Sequence, residues 1–118
     1  MTAKEYLRQV KLADRRIEAL AERRRHCREL AEARGGRSEA LEALDRELAE
    51  RIDEYAALVR EIEGVIDGVG DIVLRDVLRY RYLNGWSWQV IAQKMRFSQD
   101  WLWRLHARAL EAIGERDK

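Results

Sequence analysis

A chain of 118 residues has room for one domain, or for a small domain carrying a long appendage, and excludes two large independent cores. Charged residues make up 38% of it and proline is absent, which argues against a turn-rich sandwich or barrel and for long exposed helices, so the expected class is all-α. The net charge of +1 conceals three unlike segments: Met1 to Arg34 holds 10 Lys or Arg against 6 Asp or Glu, Gly35 to Gly70 holds 4 against 10, and Asp71 to Lys118 holds 9 against 6.

Thr2 followed by Glu5 has the form of a capping box, in which hydroxyl and carboxylate satisfy amides left free at a helix start. Downstream, Tyr6, Val10, Ala13, Ile17, Leu20, Cys27 and Ala31 recur in alternating steps of four and three, interrupted by Arg24. That spacing predicts a coiled-coil seam on a helix roughly 45 Å long. Gly35 and Gly36, which accept left-handed backbone, end it.

Ser38 caps a predicted second helix whose first turn carries Glu39 and Glu42, where carboxylates complement the helix dipole. Its seam reads Leu41, Leu44, Leu48, Ile52, Tyr55, Val59, Ile62, Val65 and Val69. A short connection predicts an antiparallel hairpin, with the basic first arm beside the acidic second. Gly64, Gly68 and Gly70 weaken the end of this arm and put a boundary near GVGD, dividing the chain into a coiled-coil hairpin over 1–70 and a second domain over 71–118.

Three short helical pieces follow. The first runs from Asp71 to about Leu83 and buries Val73, Val77, Leu78 and Tyr82; Asn84 and Gly85 break it. Ser87 caps the second, with Trp88, Ile91, Ala92 and Met95 on one face. Arg96 and Phe97 form a tight turn, and Ser98 caps a third piece ending at about Ile113. Two short helices joined by a tight turn, with a third completing the core, predict a helix-turn-helix.

On the last helix Leu102, Leu105, Ala109 and Ile113 form the inward stripe. Trp101 and Trp103 fall on opposite flanks, because residues two apart diverge by about 200° around a helix. The outer face near its start is then Gln99, Asp100, Trp103 and Arg104, the positions from which a recognition helix reads base edges in the major groove. Arginine pairs bidentately with guanine and glutamine with adenine, while aspartate accepts from the cytosine amino group. From Arg79 to Arg108 the cations Arg79, Arg81, Lys94, Arg96, Arg104 and Arg108 are opposed by Asp100 alone. Arg79, Arg81, Lys94, Arg96 and Arg108 are the expected contacts to the DNA backbone.

The run LRDVLRYRYLNGWSWQVIAQKMRFSQDWLWRLHARAL resembles region four of bacterial sigma factors and, more closely, phage and prophage regulators of the RinA and ArpU type. The resemblance rests on Arg81 and Tyr82 ending one helix, Asn84 and Gly85 before the Ser87 cap, Ile91 and Ala92 mid-helix, and a serine opening a helix that ends RLHxRAL (Arg104 to Leu110). The opening AKEYLRQV with DRRI (Asp14 to Ile17) is similar to the start of small phage proteins with the same tail. The resemblance implies sequence-specific binding to promoter DNA, with Ser87 and Ser98 as caps that contact the DNA backbone and RNA polymerase as a second partner, to switch on late phage genes. Trp86, Val90 and Trp101 stand where relatives carry polar or charged residues.

Competing readings stay open beside this one. Trp103 serves either a groove or a partner subunit, since an exposed large aromatic marks an interface without saying which kind. Trp86 and Trp101 are expected in tertiary or dimer contacts, and a homodimer is expected through the tryptophan flank or the hairpin residues Tyr6, Val10, Ile17, Leu20, Leu48, Ile52 and Tyr55. The run RRRHCR reads as a solvated face, His106 as a satisfied packing residue, and Cys27 as structural. No metal, cofactor or catalytic role is expected, since the chain has no phosphate loop, nucleophile elbow or ligand cluster. A lone cysteine and a charged, periodic start point to the cytoplasm, and no run of about 18 apolar residues suggests a membrane span. Two other functions fit the same pattern: a small terminase subunit, which packages DNA as a ring, and an adaptor that binds protein such as RNA polymerase.

Overall fold

The computed structural model describes residues 1–36 and 38–115. Among these the chain is helical throughout, with α1 Ala3–Ala33, α2 Glu39–Asp67, α3 Ile72–Leu78 continued by a π-helical stretch Arg79–Leu83, α4 Trp88–Met95 and α5 Gln99–Ile113. Residues 116–118 of the expected second domain lie outside the described residues. No described helix is long and apolar enough to cross a membrane.

Two compact units emerge: Leu12–Ala57, and Met1–Lys11 together with Leu58–Lys118. The first is a helical hairpin. Gly35 and Gly36 take φ of 94° and 129°, and the Gly36 amide donates to the Ala31 carbonyl at 2.9 Å, closing α1 as the glycine pair implies. The Ser38 hydroxyl accepts from the Leu41 amide at 3.4 Å, opening α2. So short a link turns the second arm back along the first, and an ion pair between Arg24 and Asp45 joins the two.

Along the hairpin Leu20 and Ala31 are buried and Ala13, Ile17, Cys27, Leu41, Leu44, Leu48 and Tyr55 half-buried, as the seam spacing requires. Ile52 departs from expectation: it is 46% exposed, and its neighbour Arg51 is the half-buried residue. Leu41, Leu48 and Tyr55 form one series of steps of seven, and the companion series that starts at Leu44 reaches position 51 rather than 52. Arginine can occupy that seat because its aliphatic stem packs while its head reaches outward; Arg51 donates from Nη1 to Glu54 at 3.0 Å.

The second unit has a wider core. The capping box forms as the sequence implies, with the Thr2 amide donating to Glu5 at 3.2 Å and the Glu5 amide to the Thr2 hydroxyl at 3.1 Å. These bonds hold the Glu5 carboxyl below its usual range, the Thr2 amide contributing most. Ala3, Tyr6, Leu7 and Val10 are buried on the first turns of α1, and Ile62, Ile66 and Val69 at the end of α2. Leu7 and Ile66 lie outside the expected seam yet are fully buried, so the stripe covered here is broader than a coiled-coil seam. Burying each such side chain contributes about 1.5 to 3 kcal/mol. The helix-turn-helix supplies Leu74, Val77, Leu78, Tyr82, Ile91, Leu102, Leu105 and Ala109. The compact units therefore follow packing and cut through both long helices, whereas the glycines near residue 70 mark only where α2 stops.

Candidate nucleic-acid interface

Asp71 opens α3 by accepting from the Val73 and Leu74 amides at 2.8 and 3.3 Å. The helix then widens to the π form, with the Asn84 amide reaching the Arg79 carbonyl at 2.9 Å. Gly85, at φ of 71°, turns the chain. Trp86 is locked back on this stretch: its ring stacks on Tyr80 at 4.7 Å and 10°, and its amide donates to the Tyr80 carbonyl at 3.0 Å. Arg81 donates from Nη1 to the Trp86 carbonyl at 3.1 Å.

Both serines cap as expected. The Ser87 hydroxyl accepts from the Val90 amide at 3.3 Å and the Ser98 hydroxyl from the Trp101 amide at 3.2 Å. Each hydroxyl keeps its proton for an outside acceptor. Between the helices, Arg96 sits at φ 59° and ψ 42°, left-handed backbone normally left to glycine, with the Phe97 amide donating to Ala92 at 3.1 Å.

One side of α5 is sealed and the other open. Leu102, Leu105, His106 and Ala109 are buried, while Gln99, Asp100, Trp103 and Arg104 are exposed on the amino-terminal outer edge. Trp103 keeps 50% of its surface and Trp101 37%. The Trp103 ring is not loose, because Trp88 holds it at 5.0 Å between centroids. Trp88 in turn meets His106 edge-on at 4.6 Å and lies under the Arg81 guanidinium at 4.8 Å. Thus Trp88, expected in the core, is half-buried and buttresses an exposed indole. Nothing in the spacing of residues fifteen apart announces that pair.

The expected backbone-contacting cations separate into two groups. Lys94, Arg96 and Arg104 are exposed and unpaired among the described residues, and Arg108 is exposed with its guanidinium 5.6 Å over Trp101. Arg79 is bound to Asp67 and lies 4.0 Å from Asp76, and Arg81 is committed to Trp86 and Trp88. Arg81 braces the turn that precedes α4, while Arg79 is tied to acids at the end of α2 and on α3. The expected packing residues Tyr6, Val10 and Leu20 are buried, Ile17, Leu48, Tyr55 and Trp86 half-buried, and Ile52 and Trp101 exposed.

Under the open edge, the Tyr82 hydroxyl and His106 Nε2 share a 2.7 Å hydrogen bond. Burial, aided by the charges of Lys4 and Arg81, pushes the His106 pKa down to about 4, so the ring is neutral at pH 7. Burial likewise raises that of Tyr82, partly offset by Arg81 and Arg8. Among the described residues no three His, Cys, Asp or Glu side chains are grouped to hold a metal ion, and Cys27 is a half-buried free thiol.

No protein-family model, curated protein or solved structure matches the chain.

Proposed function

We propose that the chain is a sequence-specific double-stranded DNA-binding regulator, a phage or prophage activator of the late-gene type that the helix-turn-helix residues resemble. The observation that carries this reading is the open amino-terminal edge of α5, where Gln99, Asp100, Trp103 and Arg104 are exposed in one row while the opposite stripe is sealed. Arg104 is free to pair with guanine, Gln99 with adenine, and the fixed Trp103 ring offers an apolar face to a thymine methyl. Lys94, Arg96, Arg108 and the two capping hydroxyls surround that row with phosphate-binding groups.

Homodimerisation through the hairpin completes the reading. A two-helix arm that, among its described residues, buries only Leu20 and Ala31 lacks the apolar burial that a free-standing core needs, and a second copy supplies the missing cover. Two heads then address two half-sites.

Selection of bound sequences from a random duplex pool at two salt concentrations tests the proposal. A base reader enriches a motif that survives the higher salt, and Arg104→Ala loses preference at particular bases by about 1 to 3 kcal/mol. Enrichment of no motif, or equal binding by the variant at every base, overturns it.

A further inference from the structure

The first three turns of α1 carry Lys4, Arg8 and Lys11, all exposed. Steps of four and three keep them within an arc of about 60° on the helix surface. No acid on these turns of α1 shares that arc, since Glu5 lies about 60° beyond its edge and is held by the Thr2 capping box. None of the three cations has an ion pair among the described residues, unlike Arg24, Arg25, Arg51 and Arg79, each joined to a carboxylate.

Adjacent positions on the same turns, Ala3, Leu7 and Val10, are buried, and Met1–Lys11 packs in the same compact unit as the helix-turn-helix. Lys4 is close enough to bear on His106, and Arg8 on Tyr82. His106 and Trp103 have their rings 6.4 Å apart, on the same side of α5, and the arc belongs to the same compact unit. When a helix enters a major groove about 12 Å wide, phosphate backbones pass along both of its flanks. A row of unpaired cations beside one flank stands where such a backbone runs.

We propose that the amino-terminal turns of α1 form a second DNA-contacting element, in which Lys4, Arg8 and Lys11 clasp the phosphate backbone on the Trp103 side of the groove occupied by α5. This rests on the DNA-binding reading and deepens it. α1 then does more than supply an arm of the hairpin, because its first turns help to hold the head on the duplex. The contact is to phosphate and is blind to sequence.

The test compares the full chain with a Lys4→Gln, Arg8→Gln, Lys11→Gln variant on the duplex selected above, with affinity followed against salt. Each lost phosphate contact lowers the slope of log affinity against log salt by about 0.9, so the variant is expected to lose about 2 to 3 from that slope. Its affinity in low salt should fall about 10- to 1,000-fold, with the same selected motif. A charge-matched control, Arg16→Gln, Arg28→Gln, Arg46→Gln, removes three exposed cations of the hairpin and is expected to keep the slope. An unchanged slope in the α1 variant, or an equal fall in the control, overturns this proposal and leaves the recognition edge standing. Wild-type protein that selects no motif overturns both.

Discussion

The Tyr82 hydroxyl and the His106 ring nitrogen, 24 residues apart in the chain, meet at 2.7 Å beneath the exposed edge of α5. This bond ties the π-helical stretch to α5, and Trp88 closes over it. Because the folded state holds the His106 pKa near 4, against the ordinary value near 6.5, the unfolded chain binds the extra proton first as pH falls. Stability contributed by the neutral ring is complete above about pH 6.5 and is lost as pH falls toward 4, by on the order of 3 kcal/mol. Urea midpoints measured at pH 7 and pH 4.5 should fall more steeply for wild type than for His106→Gln. Parallel slopes in the two proteins would show that the ring does not carry this dependence.

Ser98 caps α5, and the proposed DNA contact gives its hydroxyl a second purpose that substitution can separate from the first. Alanine removes the acceptor for the Trp101 amide and should lower stability by about 1 kcal/mol. Aspartate restores an acceptor and adds a charge at the positive end of α5, so its melting temperature should match wild type. The same carboxylate would face DNA phosphate, and affinity should drop at least as far as in the alanine variant. Aspartate binding as tightly as serine would remove Ser98 from the interface.

Much of this architecture is legible in the sequence because single residues dictate it locally. Thr2 with Glu5, Gly35 with Gly36, and Ser38, Asp71, Ser87 and Ser98 each fix a helix end through bonds made within a few residues. The sealed stripe of α5 follows from period alone. What periodicity misses depends on partners distant in the chain. Reading for apolar residues selects Ile52 over Arg51, since a guanidinium does not announce that its stem packs. Leu7 and Ile66 are hidden by a narrow-seam template, although Ala3, Tyr6, Leu7 and Val10 already trace a broader stripe. For the candidate site, the exposed row was readable, but the contact of Trp88 with Trp103 and the diversion of Arg79 to Asp67 are tertiary facts.

Arg96 stands alone among the described non-glycine residues in having positive φ. Left-handed backbone costs a side-chain-bearing residue about 1 to 2 kcal/mol, and glycine gives back about half of that relief through its freer unfolded chain. Arg96→Gly should therefore stabilise the fold by about 0.5 to 1 kcal/mol in denaturant titration. If Arg96 meets a phosphate, the more stable variant should also bind DNA more weakly, with a salt slope lower by about 0.9. A variant less stable than wild type would mean that the side chain makes contacts outweighing the backbone cost.

The hairpin yields a prediction about assembly. Leu12 and Leu30 are 53% and 50% exposed on α1 and lie on one line, since eighteen residues complete about five turns; Ile52 is exposed on α2. On a monomer, replacing exposed apolar groups by glutamate changes stability by no more than about 0.5 kcal/mol at each site. In an interface between copies the same substitutions bury charge without a partner, at a cost of several kcal/mol. Sedimentation equilibrium should therefore find wild type as a dimer and the variant Leu12→Glu, Ile52→Glu as a monomer whose helical circular dichroism at high concentration is retained. If the two proteins sediment alike, whether as monomer or dimer, association through these residues is excluded.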